Sequence, residues 1–216
     1  MHAALPPPAM AAATALRHGR MAWAAMAALL AAAALLAWPA DRLLLDWQPD
    51  LALQQPWRLW TGAAVHWSAG HLAANLAGTL VVAAFGISAG VGARAALAWA
   101  LAWPLTQAGL WLRPDLLHFG GLSGVLHGGV AIVAVHLLRH TSGRSRRAGL
   151  LVLAGLAIKL LSETPWGPPL QAQAGWRIAV APWSHLSGTV AGLLATAVTA
   201  STGVSKTTHG LTEADT

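Results

Sequence analysis

The run Gly120-Gly121-Leu122-Ser123-Gly124-Val125-Leu126-His127-Gly128-Gly129 puts a hydroxyl and an imidazole inside chain that is otherwise lipid-soluble in character. A serine hydroxyl becomes a nucleophile when an imidazole takes its proton, and the acyl chemistry that follows needs donors aimed at an oxyanion. Three more polar side chains lie in apolar stretches: His71 and Asn75, which share a helix face, and the distant His185. Polar groups within a membrane span are costly and default to functional candidates. Each also has a structural reading: a glycine-mediated helix contact for Ser123, a helix-start position for His185, and cross-helix hydrogen bonds for His71 and Asn75.

The elements that must position these residues are hydrophobic helices. Of 216 residues, 56% are hydrophobic and 9% charged, against about 25% charged in soluble domains, so the chain is read as an all-α integral membrane protein. Its formal charge of +6 comes mostly from Lys and Arg between apolar segments and reads as membrane topology. No basic patch with interleaved aromatics appears, so no nucleic-acid partner is expected. The absence of cysteine excludes disulfides, thiol catalysis and cysteine metal sites.

Residues 1–20 read as a flexible basic leader, 21–200 as a membrane domain and 201–216 as a disordered tail. Spans are expected over 21–38, 69–90, 94–112, 122–138, 148–163 and 184–200, making six. The bulky Trp38 argues against signal-peptide cleavage after the first. Residues 39–68 mix tryptophans with charge and suit a headgroup-level loop. Arg17, Arg20, Arg94, Arg139, Arg144, Arg146, Arg147 and Lys206 fall on one side, against Arg42, Arg58, Arg113 and Arg177 on the other, which makes both termini cytoplasmic.

Helical rise then gives depths. At about 1.5 Å per residue, Ser123 stands roughly 24 Å above Arg139 and His185 roughly 22 Å above Ala200. Those heights match. Asn75 and His71 come to roughly 28 and 34 Å above Arg94, while His127 lies about 6 Å deeper than Ser123 on the same face. Small-residue rows, Gly124 and Gly128 on the fourth span and Ser184, Gly188 and Gly192 on the sixth, permit close approach of the two helices. Ser123 and His185 can therefore meet, with the Ser123 N–H, Asn75 amide and His71 ring as oxyanion donors. The five acids from Asp41 to Glu163 fall at or near the outer face, so no carboxylate is expected at the depth of His185, and the site reads as a dyad.

Trp57-Arg58, His71-x-x-x-Asn75, Gly121-x-Ser123-Gly124 and His185-x-x-Gly188-x-x-x-Gly192, in this order and on these helices, resemble the rhomboid family of intramembrane serine proteases. Resemblance covers about 57–192 and implies a six-helix rhomboid-type bundle. It makes Ser123 the nucleophile and His185 the general base, with His71 and Asn75 helping to form the oxyanion hole. The string GLSGVLHG resembles the rhombosortase branch, thought to process proteins that end in a Gly-Gly motif, an apolar helix and a basic cluster. That implies cleavage of such a sorting tail, near the outer face of a bacterial inner membrane. His127 replaces the tyrosine of many bacterial relatives; it could stack on His185, hydrogen-bond it, or be the base itself.

Neither metal nor cofactor is required. Rival readings are a general rhomboid protease without a sorting role, a catalytically silent relative that binds transmembrane helices, a haem or metal protein using His71, His127 and His185, and transfer of the acyl group to a nucleophile other than water. His66 and Ser68 are expected to line a watery mouth or cap the second span, Pro104 to kink the third, and Lys159 to snorkel, while His118 and His136 are read as interfacial or packed.

Overall fold

The structure, a computed structural model, describes residues 8–172 and 179–201. Six long helices dominate it: α1 (Pro8–Ala37), α4 (Ala69–Ala89), α5 (Ala93–Ala108), α6 (Ser123–His140), α7 (Gly143–Ser162) and α8 (Pro182–Ser201). Short helices α2 (Arg42–Leu45) and α3 (Arg58–Ala64) occupy the loop after α1. A 3-10 turn, Gly109–Leu112, extends α5, and a two-stranded antiparallel hairpin, β1 (Gln171–Ala172) with β2 (Ala179–Val180), precedes α8.

Helix α1 begins at Pro8, so residues 8–20, expected to be a flexible leader, are helical here. Proline suits a first helical position, and the alanine-rich sequence that follows has a single glycine, Gly19, and no proline before Trp38-Pro39. The tail expectation falls on 202–216, outside the described residues. By length and hydropathy two of the helices, over Met10–Ala37 and Ala69–Ala89, suffice to cross a membrane, each with a best-window mean hydropathy of 1.8. Of the others, α5 buries Thr106 and Gln107, and α8 buries Ser184, His185, Thr189 and Thr199. Pro104 lies inside α5, and the helix continues to Ala108 despite the missing N–H.

Lipid tails are as apolar as leucine, so the bundle is held by close packing and by interhelical hydrogen bonds. The tightest seam joins α6 to α8. A Cβ on Gly124 would come within 2.5 Å of the Ser184 carbonyl, one on Gly128 within 2.8 Å of the Gly188 carbonyl, and one on Gly188 would overlap the Gly124 backbone. Glycine is required at this seam because the two backbones themselves are in contact. Ser123 and His185 occupy the upper end of that seam, on the first turns of α6 and α8.

Tryptophan indoles tie the remaining elements to backbone carbonyls. Trp23 of α1 donates to Val82 of α4 at 3.1 Å and stacks on Trp99 of α5, with ring centroids 4.3 Å apart. Trp99 in turn donates to Val125 of α6 at 2.9 Å, Trp103 to Trp60 at 3.0 Å and Trp183 to Gly109 at 2.9 Å. A buried indole N–H without a partner would be costly, so each bond fixes the register of one helix against another.

Residues 39–68 form a folded cap. Asp46, fully buried, accepts from Arg58 Nη1 at 3.1 Å, His118 Nδ1 at 2.7 Å and Gln48 Nε2 at 2.7 Å. Trp47 pairs with Phe119 through two backbone hydrogen bonds of 2.8 and 3.0 Å, and the Gly121 N–H reaches the Gly62 carbonyl at 3.2 Å. The cap thereby fixes the backbone that leads into Ser123.

Candidate active site

Ser123 is the first residue of α6, where helix geometry leaves its backbone N–H without an intrahelical acceptor. Its Oγ lies 3.0 Å from His185 Nε2. On the other side of that ring, Nδ1 lies 2.7 Å from Glu163 Oε2. Glu163 follows the last residue of α7, and Thr164, with a φ of 45°, and Pro165 turn the chain away from the helix there. Lys159, one turn earlier, places Nζ 2.6 Å from Glu163 Oε1 and 3.4 Å from His185 Nδ1.

These contacts correct one expectation: a carboxylate does reach His185. Lys159, expected to snorkel, is partly exposed and pairs with Glu163. The two oxygens of Glu163 face the Lys159 ammonium and the His185 ring, a setting that favours the carboxylate anion. An ionised carboxylate can only accept, so the His185 proton sits on Nδ1 and Nε2 presents its lone pair to the Ser123 hydroxyl.

His127 lies one turn below Ser123 and stacks on His185, with ring centroids 4.2 Å apart and planes 11° from parallel. Its Nδ1–H donates to the Ser123 carbonyl at 2.6 Å. Of the three roles left open for it, the structure shows stacking. It backs the His185 ring, and the hydroxyl of Ser123 is engaged by His185.

Helix α4 supplies the opposite wall. Ser68 caps it, its hydroxyl accepting from the His71 N–H at 3.1 Å, and the Asn75 amide donates to the His71 carbonyl at 3.1 Å. Both side chains border Gly121: a Cβ there would sit 2.9 Å from His71 Nε2 and 4.0 Å from Asn75 Nδ2. His66 is fully enclosed rather than at a watery mouth. It donates to the Ala64 carbonyl at 2.9 Å and packs edge-on against His71 at 4.8 Å, and burial lowers its pKa.

Gly121 has a φ of 141°, a region that residues with a Cβ rarely adopt. The Gly121→Ala variant is therefore expected to lose about 1–3 kcal/mol of stability to backbone strain. It should also displace the His71 ring, so activity falls further than stability; thermal unfolding and turnover measured on one preparation check both.

Ser123, His185, Glu163, Lys159, His71 and Asn75 all line one cleft of about 630 Å³. Helices α4 and α7 face each other across it, with α6 and α8 behind. Most of its remaining lining is apolar, from residues such as Val82, Val152 and Leu156. Glu163 and Lys159 went unassigned from sequence, yet a signal was there: Lys159 stands roughly 24 Å above Gly143, level with Ser123, and pairs with Glu163 one turn on.

A hydroxyl in hydrogen bond with an imidazole, set in an apolar cleft among membrane helices, defines the class: a helical membrane protein with a serine-hydrolase arrangement. The Rhomboid domain profile matches residues 53–202, well over half of the chain, and the chain belongs to the rhomboid family, whose members are intramembrane serine proteases. No curated protein matches the sequence at a significant level.

Proposed function

We propose that this chain is an intramembrane serine endopeptidase with Ser123 as nucleophile and His185 as general base. The observation that carries the reading is the 3.0 Å contact between Ser123 Oγ and His185 Nε2 within the cleft. In the first step Oγ attacks the scissile carbonyl while Nε2 takes the hydroxyl proton. The tetrahedral oxyanion is received by the Ser123 N–H, the Asn75 amide and the His71 ring. Collapse breaks the C–N bond, His185 protonates the leaving amine, and an ester to Ser123 remains. Water, deprotonated by His185, attacks that ester and releases the new carboxylate and free Ser123.

The substrate is a transmembrane segment entering between α4 and α7, where the lining is apolar at depth and polar near Ser123. A peptide bond inside a helix is shielded by its own hydrogen bonds, so the segment must unwind locally. A Gly-Gly step lowers that cost by about 1 kcal/mol per glycine relative to alanine. This favours a rhombosortase-like role, in which a C-terminal tail of Gly-Gly, apolar helix and basic cluster is cut near the outer face of a bacterial inner membrane. The excess of Lys and Arg on one side of the chain supports six crossings with both termini cytoplasmic, which would put Ser123 toward that outer side. Membrane lipid is the only other partner required, and no cofactor takes part.

Co-expression with a protein ending in such a tail tests the substrate. A cut at or beside the Gly-Gly, mapped by mass spectrometry and lost in Ser123→Ala, is the expected result. Cleavage of transmembrane segments without regard to Gly-Gly would favour a general rhomboid protease. An uncleaved but co-purifying substrate would favour a silent helix-binding relative, and bound metal or a Soret band would favour a haem or metal protein.

The cleft gives a further expected outcome. Gly155 lines it on α7, and a Cβ there would meet nothing within 4 Å. Gly155→Phe is expected to fold normally while narrowing the cleft. Cleavage of a transmembrane substrate should fall about tenfold or more, the scale of roughly 1.4 kcal/mol of lost binding or orientation. Reaction with a small fluorophosphonate should be almost unchanged; comparing the two rates checks the entry route.

A further inference from the structure

Glu163, Lys159, His185 and Ser123 form a continuous chain of hydrogen bonds that crosses from α7 to α8 to α6. We propose that Glu163 is a positioning residue that completes a Ser123-His185-Glu163 triad, with Lys159 clamping its second oxygen; the proposal rests on the serine-protease reading.

Two separate tasks fall to the carboxylate. A ring bonded only at Nε2 could rotate about its side-chain torsions or take the other tautomer, with the proton on Nε2 and nothing to receive the serine proton. The bond from Nδ1–H to Glu163 Oε2 at 2.7 Å removes both freedoms. Stacking by His127 at 4.2 Å fixes the ring plane but not its tautomer, so the two neighbours do different work. During acylation the proton leaves Ser123 Oγ for Nε2 and the ring becomes a cation. Its other proton stays on Nδ1, and the neighbouring anion stabilises the charge without accepting that proton.

Geometry also shows why the carboxylate stays in place. Its side chain is only 12% exposed, and each oxygen has a partner: Oε2 takes His185 and Oε1 takes Lys159 at 2.6 Å. Lysine and glutamate are one turn apart at the end of α7, so the clamp is internal to that helix and its C-cap, and the carboxylate reaches across to α8. The charged groups facing Glu163 are Lys159 from α7, His185 from α8 and, behind that ring, His127 from α6. Lys159 also lies 3.4 Å from His185 Nδ1, where an uncompensated ammonium would oppose a cationic ring; the shared carboxylate screens one from the other.

The test uses the full chain in detergent micelles, reading the rate at which a fluorophosphonate labels Ser123 and, with a cleavable substrate, kcat and KM. Glu163→Gln keeps the shape and removes the charge. It is expected to lower the labelling rate and kcat by a common factor of about 10²–10⁴, the scale seen when the acid of other triads is neutralised, with KM within about threefold. Glu163→Asp, which restores the charge on a shorter arm, should recover at least about tenfold over Gln. In Glu163→Ala, added formate should accelerate labelling by refilling the carboxylate position.

Labelling of Glu163→Gln at the wild-type rate would overturn the proposal. So would losses that follow only a lowered melting temperature or a raised KM, with no rescue by aspartate or formate. A wild-type protein that is labelled while the Glu163 variants match it leaves the protease reading standing and removes the triad alone. A wild-type protein that is never labelled removes both.

Discussion

Replacing His185 with alanine is expected to reduce cleavage about 10⁴-fold or more, while replacing His127 is expected to cost about tenfold. The contrast follows from the atoms each ring presents. His185 Nε2 is 3.0 Å from the hydroxyl it must deprotonate, and its loss leaves Ser123 with no base, a deficit of the size seen when triad histidines are removed. His127 spends its Nδ1–H on the Ser123 carbonyl and supports His185 by stacking. Its removal forfeits one hydrogen bond of about 1 kcal/mol and some ring packing, which slows the site without removing its base. Turnover of a cleavable substrate by the two variants, on protein with matched unfolding temperatures, measures the contrast. Near-normal turnover in His185→Ala together with loss in His127→Ala would reverse the assignment of the base.

The largest expected effect on stability lies outside the catalytic cluster. Asp46→Ala should destabilise the protein by about 3–5 kcal/mol, because it strands the Arg58 guanidinium, itself only 2% exposed, among backbone carbonyls. His118 and Gln48 lose their acceptor in the same change. Since His118 precedes the Phe119 that pairs with Trp47, and Gly121 hangs from Gly62, the backbone entering Ser123 should loosen as well. Exchanging both partners for apolar residues, Asp46→Leu with Arg58→Met, should cost less than Asp46→Ala alone, as buried charge pairs commonly do. Thermal unfolding of the three proteins measures this, and an Asp46→Ala protein as stable as wild type would show that the buried network carries no weight.

The helices and the central pair were legible because both depend on periodic, local information. Apolar runs of span length marked out the six long helices, and rise per residue put Ser123 and His185 at one height although 62 positions separate them. Small residues at Gly124, Gly128, Gly188 and Gly192 announced a close seam, and the structure closes it. Asp46 with His118 could not be read in this way, since nothing periodic links a loop residue to one beyond three intervening helices. Glu163 lies at the outer end of α7, but a glutamate side chain reaches several ångströms, and both of its partners also sit toward the outer ends of their helices. The start of α1 escaped because alanine-rich sequence ahead of an apolar span has strong helix propensity even when its charges suggest a leader.

The activity proposed for the cleft requires Ser123 to be a nucleophile activated by His185. The direct measurement is treatment of the purified full chain with a fluorophosphonate, followed by peptide mapping of the adduct by mass spectrometry. One adduct is expected, on Ser123, that disappears in Ser123→Ala and forms at least about a thousandfold more slowly in His185→Ala. A folded wild-type protein that forms no adduct, or forms it equally well without His185, would contradict the proposed activity.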